Sequence, residues 1–380
     1  MAGYAIRAEL VKELSMNKKN PSTTHRLKHA TKHLANGVAL AVLALPLAAW
    51  ATPAEDAAVP PETLERLQGM APGAPLPKPG QFVHIPPTME DLEASSLHPK
   101  LKETIRRGHD LFTHTQQLRG KNVFNDMNCS SCHLGEGRLP FSGPVWPAAV
   151  VLPDFRPKNG HVNSLEERIA GCFTYSMNGQ PPAYGSDDML ALAAYHQWLA
   201  KGVPMYQPGN TMYGRGYPKL AEPELKPDVA RGRAVYEAKC ALCHSADGSG
   251  RKQNGKVVFP PLWGDNSFNW GAGMSRLFTM ASFIKHNMPL GQPNSLTEQE
   301  AWDLAQYIGS QERPQDPRYT GDIAETRALY EATFHKDTLY GTEFEGRILG
   351  DHSNTGEKPF LKPEGVLRSR DFSGRATNTN

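Results

Sequence analysis

Three things are scarce in this 380-residue chain: long apolar runs, clustered positive charge and cysteine. No apolar stretch reaches the ~20 residues that a membrane-spanning helix needs. That excludes a transmembrane segment once the N-terminal signal described below is removed. The formal net charge is only +2, and nucleic-acid binders cluster their Lys and Arg on one face or stripe. Nucleic acid is therefore not expected as a partner. Thr355-Gly356-Glu357-Lys358-Pro359-Phe360 resembles a zinc-finger linker, but no cysteine follows Cys243 and the flanking Cys/His spacing is missing. There are five cysteines in all, few enough for each to be accounted for.

The short apolar run that does exist has a different meaning. Lys18, Lys19, Arg26, Lys28 and Lys32 form a basic stretch, Val38 to Ala49 is apolar, and Ala49-Trp50-Ala51 has the small-residue pattern of a cleavage site. Together these make a secretory signal peptide over residues 1–51, with Met16 a sufficient start. Cleavage removes seven basic and two acidic residues, so the net charge falls from +2 by five. The mature chain is expected in the periplasm, an oxidising compartment where thiols tend to pair.

Four of the cysteines fall into two identical patterns. Cys129-Ser130-Ser131-Cys132-His133 and Cys240-Ala241-Leu242-Cys243-His244 are both C-x-x-C-H, the attachment pattern of c-type haem. Zinc half-sites normally stand about 15–20 residues apart, whereas Cys132 and Cys240 are separated by 108 positions. A thioredoxin-like motif needs a βαβ context, and neither segment has one. Two covalently bound haem c groups are the expectation, with His133 and His244 as the iron ligands adjacent to the attachment thiols. Cys172 is left over.

A prior of about 150 residues per domain gives two domains. Residues 52–99 form a Pro-rich leader. Residues 100–202 read as a first cytochrome c domain, with helices over Leu101 to Thr115 and Asp187 to Lys201. Residues 203–227, rich in Pro, Gly and Tyr, are a linker. Residues 228–312 repeat the layout, with a helix over Ala230 to Ala238. Another runs from Leu296 to about Gln311, where Ser295 and Glu298 make a capping box. Residues 313–380 are a polar C-terminal extension. The fold class is mainly α: two tandem class I cytochrome c-like domains with long irregular N- and C-terminal extensions.

Each haem iron also needs a distal ligand, whose identity tunes the potential. For the second haem the candidate is Met288, because Pro289 ends the helix before it and leaves the thioether on a loop. Lys285 and His286 are close competitors. Met274 and Met280 are weaker ones. For the first haem the rivals are Cys172 and Met177. Five residues at ~100° each place them about 140° apart on a helix, so both cannot face one iron. Arg168, Cys172 and Ser176 are spaced i, i+4, i+8 and share a face. An arginine beside a thiol favours the thiolate, and its planar fork suits an oxyanion. A buried structural cysteine is the plain alternative.

At these residues the chain resembles the dihaem thiosulfate dehydrogenases. The carriers are the two haem motifs, Glu167-Arg168-Ile169-Ala170-Gly171-Cys172-Phe173 and Ser176-Met177-Asn178-Gly179. The resemblance covers roughly residues 101–311, with an echo over 339–350. It implies an oxidoreductase that couples two thiosulfates into tetrathionate, with reversal to tetrathionate reduction open. Cys172 is then both the distal ligand of the first haem and the catalytic thiol, and Arg168 and Ser176 line the substrate site. A further basic residue upstream is implied, for which Arg156 and Lys158 both qualify. Electrons run from the first haem to the second, then to a soluble acceptor such as a small cytochrome c. Two other functions compete: a non-catalytic dihaem electron carrier, and a Cys-ligated dihaem subunit like that of the Sox sulfur-oxidising system.

Overall fold

Gly108 and Gly232 mark the two helix crossings on which the chain is built. In the computed structural model, residues 59–156, 161–206, 211–331, 336–351 and 353 are described. The signal region and Lys158 lie outside them. In chain order the helices are α1 (Pro61–Met70), α2 (Met89–Ala94), α3 (Pro99–Thr113), α4 (Trp146–Val151), α5 (Leu165–Gly171), α6 (Asp187–Leu199), α7 (Val229–Lys239), α8 (Leu277–Asn287), α9 (Glu298–Gly309) and α10 (Ile323–Glu331). Among the described residues strand is limited to three antiparallel pairs: β1–β2 (Asp154–Arg156, His161–Asn163), β3–β4 (Arg251–Gln253, Lys256–Phe259) and β5–β6 (Glu343–Phe344, Arg347–Ile348). No described helix is long and apolar enough to cross a membrane.

In the first half α3 crosses α6 so closely that a Cβ on Gly108 would lie 2.0 Å from the Ala191 carbonyl oxygen. In the second half α7 crosses α9 the same way, with a Cβ on Gly232 falling 2.0 Å from the Asp303 oxygen. Only glycine allows such backbone contact. Four residues after each glycine comes an aromatic ring. Phe112 packs on Tyr195 at 5.5 Å, and Tyr236 packs on Tyr307 at 5.4 Å. These pairs lock each crossing ahead of a haem motif.

The helix ends follow local chemistry. Asp228 caps α7 by accepting from Arg231 N at 2.8 Å, and Ser186 caps α6. The start of α9 differs from the sequence expectation. Thr297 is the cap, Glu300 completes the box, and α9 begins at Glu298. Leu296 is 2 % exposed. Burying it ahead of the cap, where it can pair with the buried Ala301, shifts the box by two positions from Ser295 and Glu298.

The leader is also more structured than its composition predicts. Pro61 and Pro99 sit in the first turns of α1 and α3, where a missing N–H costs nothing. Thr88 and Asp91 form a capping box on α2, which drives Leu92 into the core. His84 packs edge-on against Trp146 at 4.8 Å and bonds the Leu199 oxygen at 2.7 Å. The described part of the C-terminal extension is likewise ordered. It carries α10 and β5–β6, and its Tyr340 ring meets Trp270 at 5.6 Å.

One buried apolar cluster runs through both halves, from Leu92 to Ile308. Polar staples cross the same boundary. Asn125 Nδ2 donates to the Ser176 oxygen at 2.7 Å and to the Ser267 oxygen at 3.0 Å. Asn269 Nδ2 donates to the Thr174 oxygen at 3.0 Å. These bonds hold the segment after Cys172 against the second half.

Candidate haem sites and catalytic thiol

The two motif histidines are oriented alike. His244 Nδ1 bonds the Pro260 oxygen at 2.9 Å, and His133 Nδ1 bonds the Gly143 oxygen. A carbonyl acceptor fixes the proton on Nδ1 and leaves the Nε2 lone pair for a metal. Cys240, Cys243 and His244 line a cavity of about 940 Å³ that is otherwise largely apolar. The size suits a large planar cofactor. Cys132, Ser130 and Ser131 of the first motif line the same cavity. The residues present therefore fit haem, with one attachment thiol of the first motif bordering the site of the second.

Met288 lines this cavity from the end of α8, together with Met274 and Met280. Its two sequence competitors are engaged elsewhere. Lys285 Nζ donates to the Asn294 oxygen at 3.1 Å, and His286 Nδ1 pairs with Asn294 Oδ1 at 2.9 Å. Neither lines the cavity.

The first haem's candidate ligands separate more sharply. Met177 is 2 % exposed and belongs to the apolar core. Cys172 faces His133 across the first motif, close enough for their electrostatics to couple. Arg168 Nη1 stands 2.8 Å from Cys172 Sγ. Burial pushes the Cys172 thiol up, but the Arg168 charge and the neighbouring His133 outweigh it and hold the thiol down at about 6. Burial pushes Cys129 and Cys132 up to about 12 with no cation opposing it, and pushes Cys240 up to about 11 against the weaker pull of Lys239. The leftover cysteine is the one built to ionise.

Ser176 departs from the α-helical spacing. Residues Cys172–Ser176 form a π turn, closed by Met177 N on the Cys172 oxygen at 3.0 Å. The wider turn replaces the α-helical pitch between Cys172 and Ser176. Its carbonyl accepts from Asn125, and its hydroxyl makes no bond to either residue. Such π turns recur at functional sites.

Of the two upstream cations, Arg156 ends β1 within electrostatic reach of both Arg168 and Cys172. Lys158 lies outside the described residues. Sequence reading passed over Arg215 and Tyr217, which lie in the segment assigned to a linker. The Tyr217 hydroxyl donates to the Cys132 oxygen at 3.0 Å, and Arg215 is coupled to Arg156. Their one sequence signal is the pair of glycines flanking Arg215.

A helix crossing ahead of C-x-x-C-H, repeated once, with both motif histidines poised for iron, defines a c-type cytochrome with two haem c sites. Residues 107–205 match the family model described as SoxA/TsdA, cytochrome c domain, and residues 227–308 match that of cytochrome C oxidase, cbb3-type, subunit III. A thiosulfate dehydrogenase of Thiomonas intermedia is 48% identical over 247 residues, covering 65% of this chain and 77% of that protein. One from Stutzerimonas stutzeri is 45% identical over 272 residues, covering 71% and 86%. The solved thiosulfate dehydrogenase (TsdBA) of Marichromatium purpuratum, in its "as isolated" form, superposes with a TM-score of 0.66 at 44% identity. That match covers 71% of this chain and 57% of the other. The chain belongs to the thiosulfate dehydrogenase family.

Proposed function

We propose that this chain is a periplasmic enzyme that oxidises two thiosulfates to tetrathionate at Cys172 and passes the electrons to a soluble acceptor. It does so with two class I cytochrome c-like domains in tandem. The single observation that carries the reading is the Arg168 guanidinium 2.8 Å from a half-buried thiol. A structural cysteine has no use for ionisation, whereas a nucleophile and a metal ligand both require it.

His133 and Cys172 would hold the iron of the first haem, and His244 and Met288 that of the second. Arg168 and Arg156 hold the first thiosulfate dianion, and Arg168 keeps Cys172 as thiolate. The Cys172 sulfur and the outer sulfur of thiosulfate become bonded. Thiolate and dianion go to a Cys172 thiosulfonate adduct of charge −1, and two electrons leave. When bound, the two haems supply one-electron acceptance twice over. A second thiosulfate attacks the outer sulfur of the adduct, the bond to Cys172 breaks, and tetrathionate departs with charge −2. The thiolate is restored. Cys132 and Cys240 lining one cavity supports a short path from the first haem to the second.

The test is Cys172→Gly in the holoprotein, assayed with thiosulfate and ferricyanide. Tetrathionate formation should vanish while mass spectrometry still finds two haems. Unchanged turnover in that variant removes the reading.

A further inference from the structure

The segment that begins at Thr211 is tied down closely for a connector between domains. Thr211 O accepts from Phe82 N at 2.7 Å, and Tyr213 N donates back to Phe82 O at 3.0 Å. Gly214 O then accepts from Phe141 N at 2.7 Å, and Gly216 O from Gly143 N at 3.0 Å. Gly143 is the residue whose carbonyl holds His133. Tyr217 completes the strap on Cys132. Arg215 stands between two anchored glycines, both in the left-handed region with φ of 72° and 71°. A Cβ on Gly214 would come within 2.4 Å of Pro140 Cβ, so that position tolerates no other residue. The backbone of one exposed arginine is thus fixed to the attachment site of the first haem.

Its guanidinium makes no hydrogen bond or ion pair among the described residues. The same holds for Arg156, which is half-buried and feels both Arg168 and Arg215. Among the described residues Arg168 hydrogen-bonds through its guanidinium to Cys172 alone. Arg168 and Arg156 thus both act on the Cys172 thiolate and Arg215 acts on Arg156, which feels the Asp154 carboxylate more weakly than either arginine. Such a cluster is unfavourable in the empty protein, and an arriving anion relieves it. Once the first thiosulfate has become a Cys172 adduct of charge −1, the positive charge around the thiol is again in excess. The tetrathionate reaction, on which this inference rests, brings a second dianion toward an adduct that is already negative. Repulsion between them opposes the step unless a cation stands on the approach side.

We infer that Arg215, with Arg156, forms an anion subsite for the second thiosulfate, the nucleophile that releases tetrathionate from Cys172. No electrons move in this step. One sulfur–sulfur bond forms between the two thiosulfates, and the bond to Cys172 breaks. Arg215 holds the sulfonate oxygens in its planar fork, leaving the outer sulfur free to attack.

The experiment separates the two half-reactions in the holoenzyme, using Arg215→Gln and Arg215→Lys with haem content verified as two. Rapid mixing with thiosulfate reports haem reduction, which needs only the first thiosulfate. Steady-state turnover with ferricyanide needs both. The Gln variant should reduce its haems within about twofold of the wild-type rate, while kcat/KM in turnover falls by roughly tenfold or more through a higher KM. The Lys variant should recover most of the loss. The subsite is overturned if haem reduction slows in step with turnover, or if turnover is unchanged. If wild-type haems are not reduced by thiosulfate at all, the tetrathionate reading itself fails, and this is seen before any variant is made.

Discussion

Ser142 in the first half donates a buried hydrogen bond to Asn287 in the second. Asn287 also donates to the Phe141 and Phe283 oxygens, at 3.3 Å and 3.1 Å. It precedes Met288, and Ser142 precedes the Gly143 carbonyl that holds His133. The neighbours of two proposed iron ligands, one from each half, are thus joined directly.

Asn287→Ala should therefore destabilise the fold by about 1–3 kcal/mol, because it strands the Ser142 hydroxyl and removes the side-chain bond to the Phe141 carbonyl. Denaturant unfolding of the holoprotein measures this. Ser142→Ala together with Asn287→Ala should cost less than the two single changes summed, since the pair is lost only once.

Arg168→Gln removes the charge that holds the Cys172 thiol down. We expect thiosulfate turnover to fall by ~100-fold or more, the usual scale for losing a charge stabiliser in an active site. Arg168→Lys should recover only part, because an ammonium lacks the planar fork. Full activity in the Gln variant would assign Cys172 ionisation to His133 alone.

His196 predicts a pH effect on stability. The ring is buried, Nδ1 bonds the Leu192 oxygen at 2.8 Å, and burial pulls the group down to about 4 from 6.5. Above pH 6.5 both folded and unfolded chains hold it neutral, and it contributes nothing. Between 6.5 and 4 only the unfolded chain takes up the proton, so stability drops as pH falls. The loss is on the order of 3 kcal/mol and is complete below pH 4. His196→Gln should flatten that part of the stability–pH curve, as measured by unfolding at a series of pH values.

Met288→Ala should lower the midpoint potential of the higher-potential haem, because a thioether opposite histidine raises it. The other haem should keep its value, and both should stay attached. Redox potentiometry separates the two. A potential that does not move would place the ligand at Met274 or Met280, which share the cavity.

Sequence alone revealed the covalent chemistry and the main helices, because C-x-x-C-H is a fixed local pattern and α3, α6 and α7 carry strong periodicity and caps. It also found Arg168 beside Cys172, a contact within one helical turn. It placed Ser176 by α-helical spacing, whereas the chain there forms a π turn. A single extra backbone residue in a turn leaves no mark in composition. Arg215 and Tyr217 were hidden for another reason. A Gly- and Pro-rich stretch looks the same whether it spans solvent or is stapled to a site, and only the backbone bonds at Gly214 and Gly216 distinguish the two. The ordered leader was hidden similarly, since proline in a first helical turn looks like proline in a coil.

The matched crossings at Gly108 and Gly232 give the molecule an internal control. Two near-equivalent frames in one chain each present a histidine with its Nδ1 tied to a carbonyl. What the frames are proposed to hold opposite that histidine is different: a thiolate braced by arginine in one, a thioether in the other. Any difference in reactivity between the halves can then be traced to that substitution and its immediate neighbours. A chemist wanting to compare sulfur donors on a constant scaffold would build this pair, and here both sit in one polypeptide, under one set of solution conditions.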